Sequence, residues 1–203
     1  MNHDHIRDLI ERAPALAPLQ ATIVATFDVI RESLAAGGKI LLCGNGGSAA
    51  DADHWAGELL KSFKRKRPLS AAERSGLPDD LATQLQGAMP AIPLIGFPAL
   101  ASAFANDVNG DFVFAQLTHA LGRRGDVWIG LSTSGNARNV CASARVARAR
   151  GLKVVGLTGA TGGDLAALCD ICIQVPTHET FLAQEYHLPI YHCLSLMLED
   201  EFF

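Results

Sequence analysis

No stretch of this chain approaches the roughly 20 consecutive apolar residues that a membrane-spanning helix requires. Its opening residues, with Asp4, Asp8, His3 and His5 close behind the first Met, carry no secretory leader pattern, so a cytoplasmic protein is expected. His3 and His5 read as a frayed tail rather than a metal site. Positive charge is not in excess either: the formal charge is −4 at pH 7, which argues against a general nucleic-acid surface. The basic run Lys61-Ser62-Phe63-Lys64-Arg65-Lys66-Arg67 reads as a solvated helix end, with contact to an acidic ligand or partner as the alternative. Cysteines are few and odd in number, five in all, and most lie in apolar stretches, as expected of reduced thiols. Cys169-Asp170-Ile171-Cys172 spells C-x-x-C, but it runs from a helix end into a strand, whereas a redox pair sets its nucleophile at a helix N-terminus. Buried packing is expected there. Gly44-x-Gly46 lacks the third glycine of a dinucleotide fingerprint, and no acid follows near Phe97, so a nicotinamide cofactor is disfavoured. The sequence contains no internal repeat and no low-complexity tract.

What is present suits one domain with a real core: 203 residues, 49% of them apolar and 19% charged. Five short apolar runs, at residues 39–43, 91–97, 126–131, 153–157 and 171–175, read as strands separated by helical patterns. Continuous apolarity means cover on both faces, which predicts an α/β fold with a doubly wound, five-stranded parallel sheet flanked by helices. Open parallel sheets bind ligands beyond the carboxyl ends of their strands. Three strand exits are rich in Gly, Ser, Thr and Asn, and two carry apparent capping boxes, Ser48-x-x-Asp51 and Thr161-x-x-Asp164, that predict helix starts.

Ahead of the first strand, a helical period broken by Pro14 and Pro18 predicts one long helix after Pro18. Its apolar stripe packs either on its own sheet or against other copies of the chain. Residues 69–89, containing Pro78 and bracketed by Pro68 and Pro90, read as an inserted loop with about one helical turn. A lid or docking role is the sharper reading of that insertion.

Chemistry concentrates at the strand exits. Ser132-Thr133-Ser134-Gly135-Asn136 follows an apolar run and precedes a helix, where hydroxyls and backbone N–H groups cradle a phosphate without lysine or merely cap the helix. In Gly44-Asn45-Gly46-Gly47-Ser48 the glycines let backbone approach a ligand closely, and Asn45 is placed to orient a hydroxyl or carbonyl. His54 and Glu58, at i and i+4, share one helix face near that exit, so an imidazole and a carboxylate can converge on one cation. A second polar cluster, Gln184-Glu185-Tyr186-His187 with His192, lies near the C-terminus. Asp51 reads as a capping acid, His187 as a core or supporting histidine, and Tyr186 and Tyr191 as packing.

The run from Gly44 to Glu58, then Ala105-Asn106-Asp107, Ser132 to Asn136, Gly156-Leu157-Thr158-Gly159 and Gln184-Glu185-x-His187 with His192, resembles the phosphoheptose isomerases of the sugar isomerase (SIS) domain family. The resemblance spans nearly the whole chain. It implies a flavodoxin-like SIS fold and a zinc-containing homotetramer that isomerises sedoheptulose 7-phosphate to D-glycero-D-manno-heptose 7-phosphate, for the heptose of bacterial lipopolysaccharide. By matching position it implies zinc ligands His54, Glu58, Gln184 and His192, with Glu58 and His192 as the acid–base pair. Substrate contacts would come from Asn45, Gly46, Gly47, Glu58, Asn106, Asp107, Ser132, Thr133, Ser134 and Gln184. The chain departs from the family at Ala137, where a further serine is usual, and at Leu182, where a basic residue is usual. Residues 69–89 are additional.

One geometric problem accompanies that ligand set. Gln184 and His192 stand about 12 Å apart along a straight helix and roughly 80° around it. Either a kink at Pro189 or assembly across a subunit interface would relieve this. Three other readings compete: an isomerase of another sugar phosphate, such as a hexose or pentose phosphate; a non-catalytic SIS relative that binds the bacterial replication initiator, which lacks the complete metal set; and a sugar-phosphate-sensing domain, which would need a DNA-binding segment.

Overall fold

In the computed structural model, which describes residues 2–203 with side chains from residue 4 onward, five short strands pair in parallel throughout. The elements run α1 (Asn2–Arg12), α2 (Gln20–Ala35), β1 (Ile40–Cys43), α3 (Gly47–Leu60), α4 (Ala71–Arg74), α5 (Asp79–Gln84), β2 (Ala91–Pro93), α6 (Pro98–Phe104) and α7 (Val113–Leu121). They continue with β3 (Val127–Ser132), α8 (Arg138–Ala149), β4 (Lys153–Thr158), α9 (Gly163–Ala166), β5 (Ile171–Gln174) and α10 (Thr180–Phe202). The sheet order is β2-β1-β3-β4-β5, so the winding reverses between β1 and β3, where open α/β sheets leave a crevice for ligands.

Strand alternation divides the interior into two cores. Ile40, Leu42, Val127, Ile129 and Leu131 face one way, onto apolar residues of α1, α2, α3 and α10. Leu41, Cys43, Trp128 and Val154 face the other way, onto α7, α8 and α9. The stripe of α2, Ile23, Phe27 and Ile30, is buried in the first core, so that helix packs on its own sheet. Burying these aliphatic and aromatic side chains, at roughly 1.5–3 kcal/mol each, supplies the main stabilising term.

Several local expectations are corrected. The run at 91–97 stops as a strand at Pro93, which has no N–H to extend the ladder, and Leu94–Gly96 forms a 3₁₀ turn. Neither Ser48 nor Thr161 caps a helix. α3 starts after Gly46 (φ +54°) and α9 after Gly162 (φ +72°), backbone conformations that favour glycine. The side chain of Asn136 accepts the N–H of Asp164 at 3.0 Å, the donor a capping Thr161 would have taken. The capping box that forms is Ser70 with Glu73, opening α4, and residues 69–89 hold two short helices, α4 and α5, rather than a loop with one helical turn.

The basic run is a solvated end at Lys61, Lys64, Arg65 and Lys66, which are exposed, but not at Arg67. The Arg67 side chain is buried against Glu199, with Nε donating to Oε1 at 2.7 Å, and the N–H groups of Phe63, Lys64 and Arg65 wrap the same carboxylate at 2.9–3.0 Å. Nor does His5 belong to a frayed tail, since its Nε2 lies 2.9 Å from Asp200 Oδ2; the His3 side chain lies outside the described residues.

Candidate active site

At the β1/β3 crevice the exit loops enclose a cavity of about 390 Å³. Asn45, Gly46, Gly47 and Ser48 line it from β1, Ser132, Thr133 and Ser134 from β3, and Thr180 and Gln184 from α10. Glycine at 47 leaves room for the Gln184 amide: a methyl group there would stand 2.6 Å from its Nε2. Asn45 is held by a reciprocal amide pair with Asn139 of α8, both hydrogen bonds 2.8 Å long. Asn139 escaped notice in the sequence because its spacing from Asn45 carries no motif. Backbone N–H groups, hydroxyls and amides, with no cation among the lining residues, make a polar pocket suited to a phosphate ester.

The same two helices build a second cluster farther along. On α3, His54 Nε2 lies 3.0 Å from Glu58 Oε1, the i, i+4 pair expected from the sequence. α10 brings in His192, whose ring stands 5.2 Å, centroid to centroid, from that of His54. One ligand atom from each of His54, Glu58 and His192 lies within 4.8 Å of the others. The Nε2 of His192 is buried without a hydrogen-bond partner. Burial and the neighbouring His54 outweigh the opposing pull of Glu58 and hold the His192 imidazole below its usual pKa, and this lowering favours the neutral, ligating form.

Two imidazoles, one of them with an orphaned ring nitrogen, and one carboxylate fit a divalent cation that retains positive charge, as in catalytic rather than thiolate-rich structural sites. Phe63 covers one side, its ring centroid 5.3 Å from that of His192. Arg67 holds the end of α3 by donating to the carbonyls of Glu58 and Leu59 at 3.0 and 2.8 Å. Gln184 lines the cavity with its amide against Gly47, and α10 remains a single helix through Pro189.

Tyr191 does more than pack. Its hydroxyl lies 2.9 Å from His54 Nδ1 and 3.3 Å from Asp51 Oδ1, which also explains why Asp51 is not a capping acid. His187 is fully buried beside the Thr158 carbonyl, as a core histidine. Asn106 and Asp107 pair with each other on an exposed π-helical turn and are not among the residues lining the cavity of their own chain.

Known proteins share the fold and much of the sequence. SIS domain models match residues 3–84 and 103–198. A phosphoheptose isomerase from Helicobacter hepaticus is 39% identical over 95% of this chain and 88% of its own length. Another, from a Roseiflexus species, is 42% identical over 89% of this chain and 82% of its own. This chain belongs to the phosphoheptose isomerase family. The solved phosphoheptose isomerase of Neisseria gonorrhoeae superposes with a TM-score of 0.77 at 32% identity, covering 98% of this chain and 96% of that one. That of Francisella tularensis gives 0.80 at 28% identity, over 98% and 99%. Family membership accounts for the SIS fold.

Proposed function

We propose that this chain isomerises sedoheptulose 7-phosphate to D-glycero-D-manno-heptose 7-phosphate, a cytoplasmic step toward lipopolysaccharide heptose, using zinc. One observation carries the reading: α3 and α10 each contribute to both the anion-suited cavity and the His54–Glu58–His192 cluster. From Ser48 to His54 the rise along α3 is roughly 9 Å. That separation suits an extended sugar phosphate with its ester at one end and its carbonyl at the other.

In this reading the hydroxyls of Ser132, Thr133 and Ser134, with the backbone of Gly46 and Gly47, bind the phosphate. Asn45 and Gln184 orient the sugar hydroxyls. Moving a carbonyl from C2 to C1 removes a proton from one carbon and returns one to its neighbour through an enediolate. Glu58 and His192, on facing helices, hold and return that proton. His54, Glu58, His192 and Gln184 would hold the zinc, which when bound supplies Lewis acidity to the developing oxyanion. Phe63 keeps water from one side of the His192 ring.

The family resemblance adds a homotetramer to the proposal. It gives the exposed Asn106–Asp107 turn a place, contacting substrate bound in a neighbouring subunit. A coupled assay with sedoheptulose 7-phosphate on zinc-loaded wild type, Glu58→Gln and His192→Ala tests the assignment. Losses of about 10²–10⁴ in kcat are expected for each variant. Equal turnover in all three would remove the acid–base roles, and an inactive wild type would remove the substrate.

A further inference from the structure

Two polar groups behind His54 form a chain that ends in the half-buried carboxylate of Asp51. Tyr191 is buried and its ring is stacked on Trp55, with centroids 5.5 Å apart and planes 19° from parallel. This fixes where its hydroxyl points. The hydroxyl meets His54 Nδ1 at 2.9 Å and Asp51 Oδ1 at 3.3 Å, while the opposite ring nitrogen, Nε2, faces Glu58 and the proposed cation position. The other oxygen of Asp51, Oδ2, is buried without a partner, so this carboxylate has Tyr191 as its side-chain donor.

A hydroxyl has one proton to give and lone pairs to receive with. When the His54 proton sits on Nε2, toward Glu58, Tyr191 can donate to Nδ1. Once Nε2 offers its lone pair to a cation, the ring's single proton must sit on Nδ1; Nε2 releases one proton to solvent and Nδ1 takes one up. Tyr191 then accepts from Nδ1–H and turns its own O–H to Asp51. Both states are satisfied by one rotation about the C–O bond.

We propose that Tyr191, aimed by Asp51, is a positioning residue that sets the His54 tautomer and thereby the affinity of the cluster for a divalent cation. The inference rests on the cation reading given above. Such supporting partners of a metal-bound histidine are worth about 10–100-fold in affinity.

The test is zinc titration of metal-stripped protein against a chromogenic chelator, for wild type, Tyr191→Phe, Asp51→Ala, Asp51→Asn and the Tyr191→Phe/Asp51→Ala double variant. Tyr191→Phe keeps the ring on Trp55, and thermal unfolding of the metal-free proteins checks that the fold is intact. Expected are a loss of about tenfold or more for Tyr191→Phe, a loss for Asp51→Ala that Asp51→Asn partly restores, and a double variant no weaker than Tyr191→Phe alone, because Asp51 acts through the hydroxyl. Wild-type affinity in Tyr191→Phe, or losses that multiply in the double variant, would overturn the relay while leaving the cation site standing. Failure of wild type to take up zinc would overturn both.

Discussion

The imidazoles of His54 and His192 meet edge to face with centroids 5.2 Å apart, although one lies on α3 and the other on the last helix of the chain. Removing either ring takes one nitrogen donor from the cluster and leaves Glu58 facing a single imidazole. Zinc measured by elemental analysis after dialysis is expected to be stoichiometric in wild type and largely lost in His54→Ala. Equal metal content in the two proteins would contradict the role given to His54.

The clamp between Arg67 and Glu199 ties the loop after α3 to α10, with both side chains buried. Burial raises the Glu199 pKa, but its backbone N–H donors and Arg67 outweigh this and hold it below the usual carboxylate range. Breaking such a pair leaves one charge buried alone, so Arg67→Met is expected to cost about 3–5 kcal/mol in urea unfolding. Glu199→Leu, which also orphans the N–H groups of Phe63, Lys64 and Arg65, is expected to cost at least as much. Because Arg67 caps the carbonyl of Glu58, both variants should also bind zinc more weakly.

Gly47→Ala separates function from folding. The added methyl meets only the end of the Gln184 side chain, which can swing away, and alanine favours the helix by up to about 1 kcal/mol. Unfolding midpoints should therefore hold or rise, while displacement of the Gln184 amide raises KM for the sugar phosphate. An unchanged KM would take Gln184 out of substrate binding.

His187 gives stability an acid limit. Burial, partly offset by its contact with the Thr158 carbonyl, lowers its pKa from 6.5 to about 4. Between those values the unfolded chain binds a proton that the folded chain does not, so stability is complete above pH 6.5 and declines on acidification. The slope from this group approaches about 1.4 kcal/mol per pH unit. Urea midpoints at about pH 7 and about pH 5 should differ less in His187→Gln than in wild type. Glu199, whose pKa is depressed, withdraws stability in the same direction at lower pH still.

The parallel sheet was legible because its strands are apolar without alternation, and the cavity because its loops are Gly- and Ser-rich strand exits. The His54–Glu58 pair was legible because helical spacing alone brings i and i+4 together. Other features depend on contacts distant in sequence. Tyr191 looks like one more packing aromatic until α10 lies against α3 and its hydroxyl finds His54 and Asp51. Arg67 sits in a run of charges that composition alone would leave in water, and only Glu199, far along the chain, draws it inside. The capping boxes failed for a local reason: glycines with positive φ start both helices first.

X-ray absorption at the zinc edge of the loaded protein reads the ligand shell itself. The expected result is nitrogen and oxygen scattering at about 2.0–2.2 Å with an imidazole signature, from His54 and His192 beside Glu58. A sulfur shell at about 2.3 Å would move the metal to the cysteines and contradict the site, as would a protein that binds no zinc at all.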